Sequence, residues 1–217
     1  MRRKIGFSLI LAGLLLLFSA LGLYLHNRRE ENRAADFVEA VTPQVAKRVA
    51  LRQQEQTQAP EDTLPHFLKN TEPDPNREMP EMEIGGYRYI GCLSIPVLEL
   101  ELPVMSDWSY PQLKIAPCRY SGSLYLNNLV LMAHNYDMHF GRIGKLRVED
   151  QVLFTDMDGT VVEYQVAALD ILSPTDIEEM TAGDYDLTLF TCTYGGKSRV
   201  TVRCTRMPQQ LSLTQTP

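Results

Sequence analysis

Three hydrophobic patterns follow one another along the chain. The first is IGFSLILAGLLLLFSALGLYL, Ile5 to Leu25, which is 21 residues without a charge. A helix rises ~1.5 Å per residue and needs about 20 apolar residues to cross a bilayer core, so this segment is long enough. The second pattern is sparse. Ala34, Val38, Val41, Val45 and Val49 recur at helical spacing with charged residues between them. The third begins near Ile84 and is strand-like. YRYIGCLSI, LELELPVM, SLYLNNLVLMAHN, QVLFTDM, TVVEYQVAALDIL, DLTLFTCTY and SRVTVRCTR follow one another, separated by turn residues. DMDGT between two of these runs is an Asp-Gly hairpin signal.

These patterns predict a mainly all-β protein: a closed β-barrel of about seven or eight strands with short helices, preceded by a transmembrane helix and a stalk. Residues 1–25 are the expected membrane anchor and 26–58 a helical stalk, with a break or kink at Pro43. Residues 59–83 hold Pro60, Pro65, Pro73, Pro75 and Pro80 and read as a linker. The barrel is expected over 84–207 and a tail over 208–217. Short helices are expected at Tyr110 to Ala116 and Gly141 to Leu146. A cleaved signal peptide is the rival for the first segment, but its apolar region usually runs only ~7–15 residues.

Charge sharpens the picture. The net charge is −6, yet the first 33 residues carry six Lys/Arg against two Glu, a net of +4 that leaves −10 to the rest. An acidic body argues against nucleic-acid binding through phosphates. Three basic residues precede the apolar span and three follow it, so charge alone barely orients it. Four cysteines, Cys92, Cys118, Cys192 and Cys204, are few for a disulfide scaffold in a domain able to build its own core.

The chemistry concentrates in DLTLFTCTYGGKSRV, residues 186–200. Alternation puts Thr188, Phe190 and Cys192 on one strand face and Leu187, Leu189 and Thr191 on the other. The loop TYGGKS turns the chain, so the returning strand brings Arg199 close to Cys192. A nucleophilic cysteine needs a base or an electropositive site, because the thiolate is the reactive form. Of His26, His66, His134 and His139, His134 ends the apolar run NLVLMAHN where a strand opens into a loop; His139 is the alternative. An arginine keeps its charge and donates through a planar fork, which suits it to peptide carbonyls and a developing oxyanion. Arg203, on the same strand face, is the rival of Arg199. The plainer readings are a buried cysteine and a surface ion pair.

TLFTC matches the TLxTC signature of sortases, the cysteine transpeptidases of the Gram-positive cell surface. MAHN with HFGRI resembles the sortase histidine region, and SRVTVR the strand bearing its arginine. The similarity runs from about Tyr89 to Arg203 and includes YIGCLSIP and LPV. The resemblance implies that Cys192 is the nucleophile, His134 its acid/base partner, and Arg199 the residue that positions substrate and stabilises the oxyanion. Thr191 resembles the threonine that helps line the site. It further implies cleavage of an LPxTG-like sorting signal in a secreted protein, a thioester on Cys192, and transfer to an amine of a cell-wall precursor or pilin. A single-pass cell-membrane anchor with the catalytic domain outside goes with it. No cofactor is implied; some sortases bind calcium before the cysteine strand, where Asp176, Glu178 and Glu179 lie here. Neither Asp156 and Asp158 in DMDG nor a set of Cys192, Cys204, His134 and His139 has the spacing of a metal site. The alternative is a catalytically silent module of the same fold that binds sorting signals or scaffolds surface assemblies. The class of sortase stays open.

Overall fold

The structure, a computed structural model, describes residues 2–57, 77–182 and 184–208. Most of the expected linker, and nearly all of the expected tail, lie outside these residues. One helix, α1 (Arg2–Thr57), carries both the apolar segment and the valine stripe. It runs through Pro43 without a break. Proline removes one N–H from the ladder; on either side of the gap, Thr42 Oγ1 donates to the Val38 carbonyl (2.7 Å) and Gln44 Nε2 to that of Ala40 (2.9 Å). The apolar part is long enough to cross a membrane, and none of its described side chains is buried against the protein.

Among the described residues nine strands follow: β1 (Met82–Ile84), β2 (Tyr87–Ile95), β3 (Leu100–Met105), β4 (Cys118–Ser121), β5 (Leu129–Met132), β6 (Gln151–Asp156), β7 (Val161–Leu172), β8 (Leu187–Cys192) and β9 (Arg199–Arg206). Two short α-helices, α2 (Tyr110–Leu113) and α3 (Ile177–Thr181), sit in connections. The expected helix at Gly141 to Leu146 is a single 3₁₀ turn, Ile143–Lys145. The order β2-β3-β4-β5-β8-β9-β7-β6 closes on itself through β2–β6 pairing, which makes an eight-stranded barrel; β1 pairs with the first residues of β2. The inside is apolar, filled by Leu93, Leu102, Leu131, Phe154, Leu189 and Val202 among others. Closure leaves no long free edge.

The strand directions define two ends. β2, β5, β7 and β8 run toward the end that carries Cys192, and β3, β4, β6 and β9 run away from it. The stripe on α1 lies along this barrel. Val41, Val45 and Val49 pack against Tyr89, Met105, Cys118 and Met157, and all are buried. Each buried valine stabilises the contact by about 1.5 kcal/mol relative to exposure. Within the segment expected as a helical stalk, residues 26–57 form a helix that docks on the domain, because the stripe has a complementary apolar surface to cover.

Candidate active site

Sequence periodicity makes β8 and β9, and their pairing makes the site. Cys192 and Arg199 are direct cross-strand partners in the antiparallel β8–β9 ladder. Thr193 and Ser198 close the connecting loop by reciprocal backbone and side-chain bonds of 2.9–3.2 Å. Inside it Gly195 and Gly196 take φ of +81° and +71°, a conformation that favours glycine, and a Cβ there would meet nothing.

The third member arrives on β5, parallel to β8. Leu129 pairs with Leu187 and Met132 with Phe190. Beyond the ladder, Thr191 Oγ1 donates to the Ala133 carbonyl at 2.8 Å across the same separation of 58 residues. Carried one step further, that offset sets His134 beside Cys192. Neighbours at the same register point to the same face with Cα atoms about 5 Å apart. Cys192 and Arg199 thus face one another across β8 and β9 on the outer face, and His134 follows two residues beyond the end of β5, the strand next to β8. Thr191 is buried beneath them on the inner face, where it ties β8 to β5 rather than opening onto the surface.

Each group has a distinct environment. Cys192 is exposed, whereas burial pushes the thiols of Cys92, Cys118 and Cys204 up to about 12, which leaves them inert at neutral pH. His134 is half-buried. Burial lowers its pKa and the Lys114 ammonium lowers it further, against the hydrogen bond to Asn135. Its Nδ1 lies 3.0 Å from Asn135 Oδ1 and 3.1 Å from the Asn135 N–H, so that residue offers an acceptor to the protonated ring and a donor to the neutral one. Tyr136 stacks on the imidazole at 4.1 Å and 7°. Behind Tyr136 lies His139, fully buried, with neither ring nitrogen hydrogen-bonded. Burial and the neighbouring His134 bring it down to about 4.

The two arginines of β9 differ sharply. Arg199 Nη1 donates to the carbonyls of Gly196 (3.1 Å) and Ser198 (3.2 Å) at the mouth of its own loop. Arg203 is buried. It binds Asp170 Oδ2 (3.3 Å), Thr188 Oγ1 (3.2 Å) and the carbonyls of Met180 and Glu179, which pins α3 to the hairpin.

Sequence reasoning missed an aromatic row on the same outer face. Phe190, two residues before Cys192, meets Tyr120 edge-on at 5.3 Å, and Tyr120 stacks on Trp108 at 5.7 Å. Trp108 and Tyr120 border an open hollow of about 420 Å³ with Ser106 and Arg119. The one available signal was the sole tryptophan, half-exposed in the polar turn SDWSYP. Among the described residues, no cluster of three or more His, Cys, Asp or Glu is placed to hold a metal ion. Asp156 instead accepts hydrogen bonds from Tyr125 Oη (2.6 Å) and the N–H groups of Asp158 and Thr160, which close the β6–β7 turn. Asp176 accepts from the Ser173 N–H.

Residues 93–207, more than half of the chain, match the family profile described as Sortase domain. Solved structures share the fold. Sortase C-3 of Streptococcus pneumoniae is 21% identical with a TM-score of 0.50, covering 82% of this chain and 90% of that one. Sortase A of Corynebacterium diphtheriae is 16% identical with a TM-score of 0.51, covering 88% and 98%. Sortase C1 of Streptococcus agalactiae, solved in complex with MTSET, is 22% identical with a TM-score of 0.51, covering 83% and 90%. No curated protein matches the chain in sequence.

Proposed function

The chain belongs to the sortase family, and from that premise we propose that it is a membrane-anchored cysteine transpeptidase acting through Cys192, His134 and Arg199. What supports this reading is the register: Cys192 pairs with Arg199, and the β5–β8 offset, carried two residues past the end of β5, brings His134 to the level of Cys192. The Cys192 thiolate attacks the carbonyl carbon of the scissile peptide bond. The resulting oxyanion is met by the Arg199 guanidinium, which a short turn of its side chain redirects from the Gly196 and Ser198 carbonyls. The C–N bond breaks, and the His134 imidazolium gives its proton to the departing amine. An incoming amine then attacks the thioester and passes a proton to His134, and the thiolate leaves. Thr191 acts through the backbone, holding β8 at the spacing that keeps sulfur and imidazole adjacent. The Phe190–Tyr120 row supplies a rigid apolar wall for the bound peptide.

The substrates are secreted proteins with an LPxTG-like sorting signal, and the acceptor is an amine of a cell-wall precursor or pilin. No step of this mechanism uses a cofactor. The domain lies outside the cell, tethered by residues 5–25.

The test uses the full chain in detergent with a quenched peptide library varied around LPxTG, with and without an amine. Cleavage and amine ligation are expected, with a loss of about 10³-fold or more in Cys192→Ala. Turnover that survives Cys192→Ala would refute the assignment, as would a Cys192 that alkylates no faster than the other three thiols.

A further inference from the structure

The docked helix fixes which way the barrel faces. Contacts along α1 are ordered. Glu30 pairs with Lys114 at 3.3 Å, and Glu31 accepts from the Asp137 N–H, three residues past His134, at 3.1 Å. Farther along, Ala35, Val38 and Thr42 line a cavity of about 370 Å³ with Leu100 and Leu102 at the start of β3 and Met138 in the loop after β5. Gln53 then donates to the Gly159 carbonyl at 2.8 Å, in the β6–β7 turn at the opposite end. α1 therefore enters at the end that carries Cys192 and runs toward the other. Followed backwards, the same unbroken helix leaves the barrel past its catalytic end as the apolar segment.

Distance makes this constraint tight. Glu31 is six residues beyond Leu25, which is about 9 Å of helix. A headgroup layer is roughly 5–8 Å deep on each side of the hydrocarbon. The His134 loop, held by Glu31, is thus at the edge of the headgroups.

The surface of the barrel agrees. Val97, Val148, Ile171 and Tyr194 are 60%, 59%, 66% and 86% exposed. They come from four separate places, the β2–β3 turn, the lead into β6, the end of β7 and the β8–β9 loop, and all four lie at the catalytic end. At the other end Leu126, Val161 and Met207 are 37–42% exposed, and Tyr110, in the β3–β4 connection, is 79% exposed. Four strongly exposed apolar side chains gathered on one rim mark a surface that meets something apolar.

We propose that the catalytic end of the barrel lies against the bilayer that holds α1, with Val97, Val148, Ile171 and Tyr194 in the headgroup layer. Cys192 then opens onto a narrow slot above the lipid, and a scissile bond reaches it within about 10 Å of the hydrocarbon. This rests on the reading of residues 5–25 as a membrane span, and it does not depend on the chemistry at Cys192.

The experiment places a polarity-sensitive fluorophore on single cysteines in the full chain, in a Cys192→Ala, Cys92→Ser background. The labelled variants are Val148→Cys, Ile171→Cys, Val161→Cys and Leu15→Cys. They are reconstituted in phosphatidylcholine–phosphatidylglycerol vesicles that carry nitroxide at the headgroup or, separately, at mid-chain. Headgroup nitroxide is expected to quench positions 148 and 171 about threefold more than position 161, over the 5–10 Å depth typical of interfacial contact. Mid-chain nitroxide is expected to quench position 15. Equal quenching at the two ends, or stronger quenching at 161, with 15 quenched, would overturn the orientation while leaving the span intact. An unquenched position 15 would overturn the span and the orientation with it.

Discussion

The β8–β9 hairpin has two halves built from similar parts. In the half nearer the strand ends, Cys192 faces Arg199. In the other half, Thr188 faces Arg203. Both arginines lie on one face of one strand, four residues apart. Arg203 is enclosed by α3 and Asp170, which meet its donors and remove it from solvent. Arg199 has only carbonyls of its own exposed loop. The lesson is that strand position does not make an arginine structural or chemical; what the neighbouring connection lays over it does. A guanidinium whose partners are buried is fixed, and one at the mouth of a glycine-containing loop is free to meet a substrate.

The hardest test of that contrast is a crossed pair of substitutions. Arg203→Leu strands two carbonyls, a hydroxyl and a carboxylate and is expected to cost about 3 kcal/mol, a fall of roughly 10 °C in Tm. Arg199→Ala is expected to leave Tm within about 2 °C yet lower kcat/KM by about 100-fold. Calorimetry and peptide cleavage on both variants decide it; the opposite assignment of losses would end the comparison.

The histidine region repeats the contrast between His134 at the surface and His139 beneath it. His139 titrates near 4 when folded and near ~6.5 when unfolded. The unfolded chain therefore binds more protons between those values. Stability is whole above about pH 6.5 and falls as pH drops toward 4, by about 2–3 kcal/mol. In His139→Phe this fall is expected to shrink relative to the parent, as read by denaturant titrations at pH 7 and pH 4.5.

Thr191→Val removes the bond to the Ala133 carbonyl and leaves that buried acceptor unmet, at a cost of about 1–2 kcal/mol. If the bond spaces Cys192 from His134, kcat drops beyond what the small Tm change explains, while Thr191→Ser restores it. The mildest change is Lys114→Met. Removing that ammonium is expected to raise the pKa of His134, seen by NMR titration in a Cys192→Ala background.

Much of this was legible in the sequence, for reasons that differ by element. β2, β6, β7, β8 and β9 announce themselves through alternation bounded by turn residues, and each begins and ends within a residue or two of the expected run. β4 went unseen, because CRYS is four residues long and takes its identity from pairing with β5. SLYLNNLVLMAHN read as one strand; Asn127, at φ +52°, breaks it into a 3₁₀ turn and β5. Pro43 suggested a break that tertiary packing overrides, with valines buried on both sides of it. In the site, the nearness of Cys192 to Arg199 followed from a hairpin. That of His134 to Cys192 did not, since parallel pairing across 58 residues leaves no local mark; the resemblance supplied it. The stacking of Tyr136 on His134, two residues before it, and of Trp108 on Tyr120, twelve residues on, is set by loop and turn geometry that no periodicity marks.

That separation of 58 residues also orders events as the chain folds. A six-residue loop closes within microseconds, so Cys192 and Arg199 meet early. Parallel pairing of β5 with β8 is slow, because the intervening chain must lose its freedom before any contact rewards it. β8 and β9 also leave the ribosome after the other strands of the barrel. The proposed pair of thiol and imidazole therefore comes together only as the barrel shuts.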